Sequence, residues 1–141
     1  FVCTGYGSPQ LWAIRVDGTG DVTNSHVKWK EKSQIPKNPS PLLVDGLLFV
    51  INDNGVMTCL DSDTGKTQWR RRIPGNYSAS PVFANGHVFL FSHEGTVTAI
   101  KASDQPSGLV ESNIDDQIMA SPAILSESVL LRTRHKLYCI Q

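Results

Sequence analysis

The sequence predicts an all-β chain made of β-propeller blades of four antiparallel strands, about three and a half of them. Three observations lead there. Ser40-Pro41, Ser80-Pro81 and Ser121-Pro122 recur at spacings of 40 and 41 residues. Each pair opens the same run of short apolar segments separated by turn residues, four strands to a period near 40, which is the signature of blades. No amphipathic stretch of the length a βαβ unit needs lies between them.

Within a period the order is regular. After each Ser-Pro comes a short apolar strand: Leu42-Leu43-Val44, Val82-Phe83-Ala84 and Ala123-Ile124-Leu125. Asp45-Gly46 and Asn85-Gly86 follow as hairpin turns, with the weaker Ser126-Glu127 in the last copy. Second strands are expected over Leu47–Ile51, Val88–Phe91 and Val129–Leu131. The next turn is Asn52-Asp53-Asn54-Gly55, Ser92-His93-Glu94-Gly95 or Arg132-Thr133-Arg134-His135. Third strands follow over Val56–Leu60, Thr96–Ile100 and Lys136–Ile140, with an earlier copy at Gln10–Ile14. Both faces of these strands carry bulk, so they are expected to be covered on both sides.

The fourth strand holds a tryptophan. Trp29 and Trp69 stand 40 residues apart, and Leu109 takes that place in the third copy. The first copy reaches its Trp through a longer turn, Asp17 to Val22. Lys28 to Lys37 reads as an outer blade edge followed by the crossing to the next innermost strand. The expected division is a single partial propeller over 1–141: an incomplete blade at 1–35, blades at 36–75 and 76–116, and an incomplete blade at 117–141. The first incomplete blade lacks its first strand and the last lacks its fourth. Such a set is not expected to close a ring of the usual 4–8 blades, which implies part of a larger protein, a proteolytic fragment or half of an assembly of several chains.

Composition narrows the function classes. Of 141 residues, 40% are hydrophobic, enough for a core, and 13 cationic side chains balance 13 acidic ones. Zero net charge supplies no bulk attraction to nucleic acid or an anionic membrane. No apolar run approaches the roughly 18 residues of a membrane-spanning helix. Cys3, Cys59 and Cys139 are far apart and form no CxxC; they read as small buried hydrophobes, with one long-range disulfide plus a free thiol left open.

Leu60-Asp61-Ser62-Asp63-Thr64-Gly65-Lys66-Thr67-Gln68-Trp69, preceded by Ser40-Pro41, resembles the pyrroloquinoline-quinone-like propeller repeat family. The family motif runs as a small residue, Leu, Asp, two variable residues, Thr-Gly-Lys, two more and Trp, and the second copy here matches almost fully. The resemblance implies a ring commonly of eight blades and a periplasmic or otherwise extracytoplasmic location. The family includes an outer-membrane assembly scaffold, quinoprotein dehydrogenases and kinase-linked sensor domains. The dehydrogenase site implied by the family uses adjacent cysteines, a stacking Trp, and Glu, Asn and Asp around calcium. The isolated cysteines and the absence of that constellation turn the reading away from redox activity. The leading expectation is a non-enzymatic scaffold with no cofactor, binding a protein partner, a ligand or the remainder of the propeller on its rim or channel. The alternatives are part of a quinone- and calcium-dependent dehydrogenase and a kinase-linked extracytoplasmic sensor.

No catalytic, cofactor or metal residue is assigned from the sequence. Ser40, Pro41, Ser80, Pro81, Ser121, Pro122, Asp61, Thr64, Gly65, Trp29 and Trp69 are read as structural repeat positions. Asp61 is expected to satisfy turn backbone, and the two Trp side chains to wedge between blades. Thr64 and Lys66 lack the glycine-rich loop and helix of a phosphate site. His26, His87, His93 and His135 show no close metal spacing. His93 and Glu94 occupy the same turn as Asp53 one blade earlier, a weak convergence on one rim, and Asp115-Asp116 lies near an innermost strand. Arg70-Arg71-Arg72, Arg132 to Lys136, and Lys28, Lys30 and Lys32 read as solvated edges; the aromatic interleaving of a base-stacking surface is missing. Asn76-Tyr77-Ser78 is a glycosylation sequon, meaningful only in a secretory eukaryotic context.

Overall fold

A computed structural model describes all residues 1–141. Fourteen strands form four antiparallel sheets. The first sheet holds β1 (Val2–Cys3), β2 (Leu11–Ile14) and β3 (Val27–Glu31). The second holds β4 (Leu42–Val44), β5 (Leu47–Ile51), β6 (Val56–Asp61) and β7 (Thr67–Arg72). The third repeats it with β8 (Val82–Ala84), β9 (His87–Phe91), β10 (Thr96–Lys101) and β11 (Val110–Asn113). The last holds β12 (Ala123–Ile124), β13 (Val129–Arg132) and β14 (Leu137–Ile140). Strands pair in chain order within each sheet, and every sheet is one blade or part of one. The architecture is the expected partial propeller.

The turns follow from their residues. Asp45 and Gly46 have φ of 46° and 80°, and Asn85 and Gly86 have 48° and 75°. Two successive positive φ values make the tight hairpin whose twist matches the strands. Ser126-Glu127 closes the β12–β13 hairpin without positive φ; there the Leu125 N–H donates to the Ser128 carbonyl at 2.8 Å.

A regularity missed in the sequence governs the turn between the second and third strands of each blade. One side-chain oxygen there accepts the N–H that starts or precedes the third strand. Thr4 Oγ1 accepts from Gln10 N at 3.0 Å, Asn52 Oδ1 from Val56 N at 2.8 Å, Ser92 Oγ from Thr96 N at 3.2 Å and Thr133 Oγ1 from Lys136 N at 3.1 Å. Four copies use three residue types for one task, so residue identity conceals the pattern. Lys136 serves this turn and stands just outside β14.

Apolar faces close the sheets on one another. Leu11, Ile35, Leu48, Val50 and Leu60 form the core between the first and second sheets. Phe49, Ile51, Met57 and Trp69 meet Val88, Leu90 and Ile100 between the second and third. Ala79, Phe91, Ile118 and Leu131 join the third and fourth. The central strand β6 is buried at Met57, Thr58, Cys59 and Leu60, as the two-sided bulk implies. In β14 the same pattern is open, with Leu137 71% and Ile140 46% exposed. The cysteines are free and differ from one another: Cys59 is buried, Cys3 half-buried and Cys139 exposed.

Register corrects one sequence expectation. Ala13 pairs with Trp29, Cys59 with Trp69, and Ala99 with Val110 rather than Leu109. Val110 is exposed, while Leu109, one residue before the strand, packs against the core between the second and third blades. The loop from Ala102 to Leu109 therefore delivers its apolar side chain ahead of the ladder position that Trp occupies elsewhere.

Trp69 is 7% exposed, so Trp69→Ala leaves a large cavity in the central core and should cost about 3–5 kcal/mol. Chemical denaturation should show the midpoint falling. An unchanged midpoint would mean that Trp69 is not packed as described.

Candidate functional site

The two ends of the blades differ in construction. One rim carries the hairpin turns: the turn before each second strand and the turn before each fourth. Backbone bonds tie these together, from Ser62 N to Gly46 O and from Ala102 N to Gly86 O, both 2.9 Å. The opposite rim carries the turns between second and third strands and the linkers crossing from blade to blade. It is called the linker rim below.

Trp29 and Trp69 both reach across to the following blade near the hairpin rim. Trp29 Nε1 donates to the Ser62 carbonyl at 3.1 Å, and Trp69 Nε1 to the Ser103 carbonyl at 3.0 Å. Gly65 lies beneath the Trp29 ring, where an added Cβ would stand 2.6 Å from Trp29 Cδ2. Its φ of 74° also favours glycine. The turn that receives Trp29 is held by Asp61, whose Oδ1 accepts from Thr64 Oγ1 at 2.7 Å, Thr64 N at 2.8 Å and Asp63 N at 3.2 Å. These bonds, led by the Thr64 hydroxyl, hold the Asp61 carboxyl below the usual carboxylate range. Within its own sheet each Trp meets an aromatic ring, Phe1 at 5.7 Å from Trp29 and Phe49 at 6.1 Å from Trp69. Cys59 lies between Phe49 and Trp69 in the ladder, and small Ala13 pairs with Trp29. A small residue on the third strand leaves the rings room to meet.

The Ser-Pro positions sit where innermost strands begin. Ser40 N donates to Ser80 Oγ at 3.0 Å and Ser80 N to Ser121 Oγ at 2.8 Å. Pro81 and Pro122 are buried and Pro41 is half-buried.

On the linker rim carboxylates tie linkers to turns. Asp53 accepts from Lys37 N at 2.7 Å and from Asn38 Nδ2 at 2.5 Å. Glu94 accepts from Asn76 N at 3.1 Å and Asn76 Nδ2 at 2.9 Å. In the last blade the polarity is inverted. Asp116 now sits in the linker and accepts from the turn: Thr133 Oγ1 at 2.6 Å, His135 N at 2.9 Å and His135 Nδ1 at 3.0 Å. The Asp116 side chain is only 7% exposed. Burial opposes ionisation of Glu94, but the bonds from Asn76 outweigh it and bring the carboxyl down to about 2. The Thr133 hydroxyl, then His135 and Gln117 acting against burial, hold Asp116 well below the usual carboxylate range.

These bonds decide what the weighed residues can do. His93 and Glu94 line an open polar depression of about 430 Å³ with Asp115, Asp116, Arg134 and His135. Asp53 does not line it, being occupied at its own linker. His93 Nε2 pairs with Ser78 Oγ at 2.7 Å. No three His, Cys, Asp or Glu side chains come close enough to hold a metal ion. His26 pairs with Ser25 at 2.7 Å, and His87 Nδ1 meets the Asn85 carbonyl at 2.8 Å. Arg70 to Arg72 are exposed on β7, with Arg70 Nε donating to Thr58 Oγ1 at 3.1 Å. Lys30 Nζ stands 3.5 Å from the Trp12 ring centroid, a cation–π contact. Asn76 of the sequon holds Glu94 through its side-chain nitrogen, and Tyr77 beside it is buried. No helix is long and apolar enough to cross a membrane.

Antiparallel sheets of three and four strands, an indole pinned over the next blade's turn and polar latches between linkers and turns define a β-propeller repeat protein. A family profile described as outer membrane protein assembly factor BamB matches residues 10–106, and the chain belongs to that family. The family's Moranella endobia (strain PCIT) protein is 25% identical over 122 residues, covering 86% of this chain and 29% of the relative. The chain spans less than a third of the length of the curated relatives it matches. The crystal structure of BamB from Moraxella catarrhalis superposes with a TM-score of 0.68 at 18% identity, over 93% of this chain and 39% of that one. A europium-containing methanol dehydrogenase superposes with a TM-score of 0.56 at 19% identity, over 79% of this chain and 22% of that one. At such identities the structural likenesses are of fold alone.

The depressed carboxyls predict an acid limit. Their contribution is complete above the unfolded values of about 4 and is lost as pH falls toward the folded ones. Asp116→Asn should lower the melting temperature at neutral pH and flatten its fall between about pH 4 and pH 2. Melting curves across that range check it; parallel curves for both proteins would show that Asp116 contributes nothing to the acid limit.

Proposed function

We propose that the chain forms part of a non-enzymatic, extracytoplasmic propeller scaffold serving outer-membrane protein assembly, with a protein partner held on a rim. The observation carrying this reading is the family match over residues 10–106. The polar groups also favour it. The carboxylates of Asp53, Glu94 and Asp116 are spent on latches between linkers and turns, and the chain's three cysteines are free and unpaired with one another. A ring segment latched in this way suits holding a partner.

The same proposal takes 36–75 and 76–116 as repeat units and 1–35 and 117–141 as parts of two others. Trp29 and Trp69 are its inter-blade pins, Asp61, Thr64 and Gly65 the seat for the first pin, and Ser40, Ser80 and Ser121 with Pro41, Pro81 and Pro122 its inner seam. The indole bonds to Ser62 and Ser103 and the serine bonds between innermost strands support those roles.

Deleting the gene should lower the amount of heat-modifiable, folded β-barrel protein in the outer membrane, and restoring the gene should recover it. Fractionation should find the protein outside the cytoplasm. Unchanged barrel levels, together with quinone-dependent dye reduction by the purified protein on an alcohol or sugar, would overturn the reading.

A further inference from the structure

Asn-Gly occurs twice in the chain, at Asn54-Gly55 and Asn85-Gly86. The dipeptide carries its own reaction. The glycine N, once deprotonated, can attack the asparagine Cγ, because no Cβ on the glycine blocks the approach. A C–N bond forms and the Cγ–Nδ2 bond breaks. The glycine proton goes to water, and Nδ2 takes a proton back to leave as ammonia. Water then opens the imide ring at either carbonyl, giving an aspartate or an isoaspartyl linkage.

The fold treats the two copies differently. Gly55 N donates to Asn52 O at 2.9 Å, and Asn54 N donates to Asn52 Oδ1 at 3.1 Å. Gly55 is buried against the chain leaving β7, where an added Cβ would collide with the Ile73 and Gly75 carbonyls. Its N–H is therefore both occupied and held in place. Asn85 and Gly86 stand exposed on the hairpin rim between β8 and β9. Gly86 N makes no hydrogen bond, and nothing lies within 4 Å of the position a Cβ would take. Only its carbonyl is tied, accepting from Ala102 N at 2.9 Å.

His87 adds a chemical push. Its Nδ1 stands 2.8 Å from the Asn85 carbonyl oxygen, which can only accept, so Nδ1 carries the hydrogen. That oxygen belongs to the peptide whose nitrogen must attack. Deprotonating Gly86 N spreads negative charge onto the Asn85 oxygen, and a donor already aimed there stabilises it.

We propose that Asn85 is a spontaneous modification site: the hairpin between β8 and β9 presents Asn85-Gly86 for intramolecular amide loss, with His87 promoting it, while the same dipeptide at Asn54-Gly55 is shielded. The reaction needs only water and places one negative charge on the hairpin rim of the third blade. Its aspartate product fits, since Asp45-Gly46 makes the same turn with φ of 46° and 80°. Its isoaspartyl product does not. That linkage lengthens the main chain inside the turn that sets the Ala84–His87 pairing.

The test keeps the purified full-length protein folded in mildly alkaline buffer and follows the peptides carrying Asn54 and Asn85 by mass spectrometry. Amide loss at Asn85 should run at least about tenfold faster than at Asn54, where a hydrogen bond must first open. In denaturant the two should convert alike. His87→Val, which keeps a strand-forming residue, should slow loss at Asn85 about threefold or more in the folded protein and leave the unfolded rate unchanged. Asn85→Asp should melt with the parent, and the isoaspartyl fraction of aged protein should melt lower. Equal rates in the folded protein, faster loss at Asn54, or no loss at Asn85 while the unfolded chain converts would overturn the assignment. A folded rate untouched by His87→Val would overturn the part given to the ring.

Discussion

The arrangement of the first two blades depends on one close approach: the Trp29 indole lying on Gly65. The ring lies near enough that a single added carbon would collide with it, while its N–H finds the Ser62 carbonyl at 3.1 Å. An apolar ring body packs against backbone, and the polar edge is satisfied where the approach would otherwise strand it. Asp61 and Thr64 shape the turn that makes this possible. The Asp-x-x-Thr-Gly order is therefore the mould for a neighbour's tryptophan as much as a local turn signal. Where the mould degrades, at Ser103 to Gly108, Trp69 keeps its carbonyl partner, but the following fourth strand carries no Trp and exposes Val110 at that ladder position.

Much of this was legible in sequence because backbone demands are repeated there nearly verbatim. Asp45-Gly46 and Asn85-Gly86 announced hairpins, and the strands appeared where the Ser-Pro spacing placed them. Gly65 was legible only in half, since its left-handed φ follows from the turn while its role beneath Trp29 requires the neighbouring blade. The turn-closing oxygen escaped notice because Thr, Asn and Ser can each present one acceptor at the same point. The shift from Leu109 to Val110 escaped for another reason: loop length between third and fourth strands varies, and one residue moves a side chain to the other face.

The linker rim was legible in its parts but not in its pairing. His93, Glu94, Asp53, Asp115 and Asp116 were all visible as titratable residues near turns. The partners of Asp53, Glu94 and Asp116 are backbone N–H groups, the amides of Asn38 and Asn76, the Thr133 hydroxyl and the His135 ring, and that of His93 is the Ser78 hydroxyl, none of which any spacing reveals. The inversion in the last blade, where the carboxylate passes from turn to linker, keeps the latch while changing which segment owns the charge.

The indole and serine bonds share a direction. In each, the earlier blade supplies the donor and the later one the acceptor: Trp29 to Ser62, Trp69 to Ser103, Ser40 to Ser80 and Ser80 to Ser121. Each of these blades therefore has its tryptophan N–H or inner-strand N–H satisfied only by the blade that follows: the blade is finished by its successor.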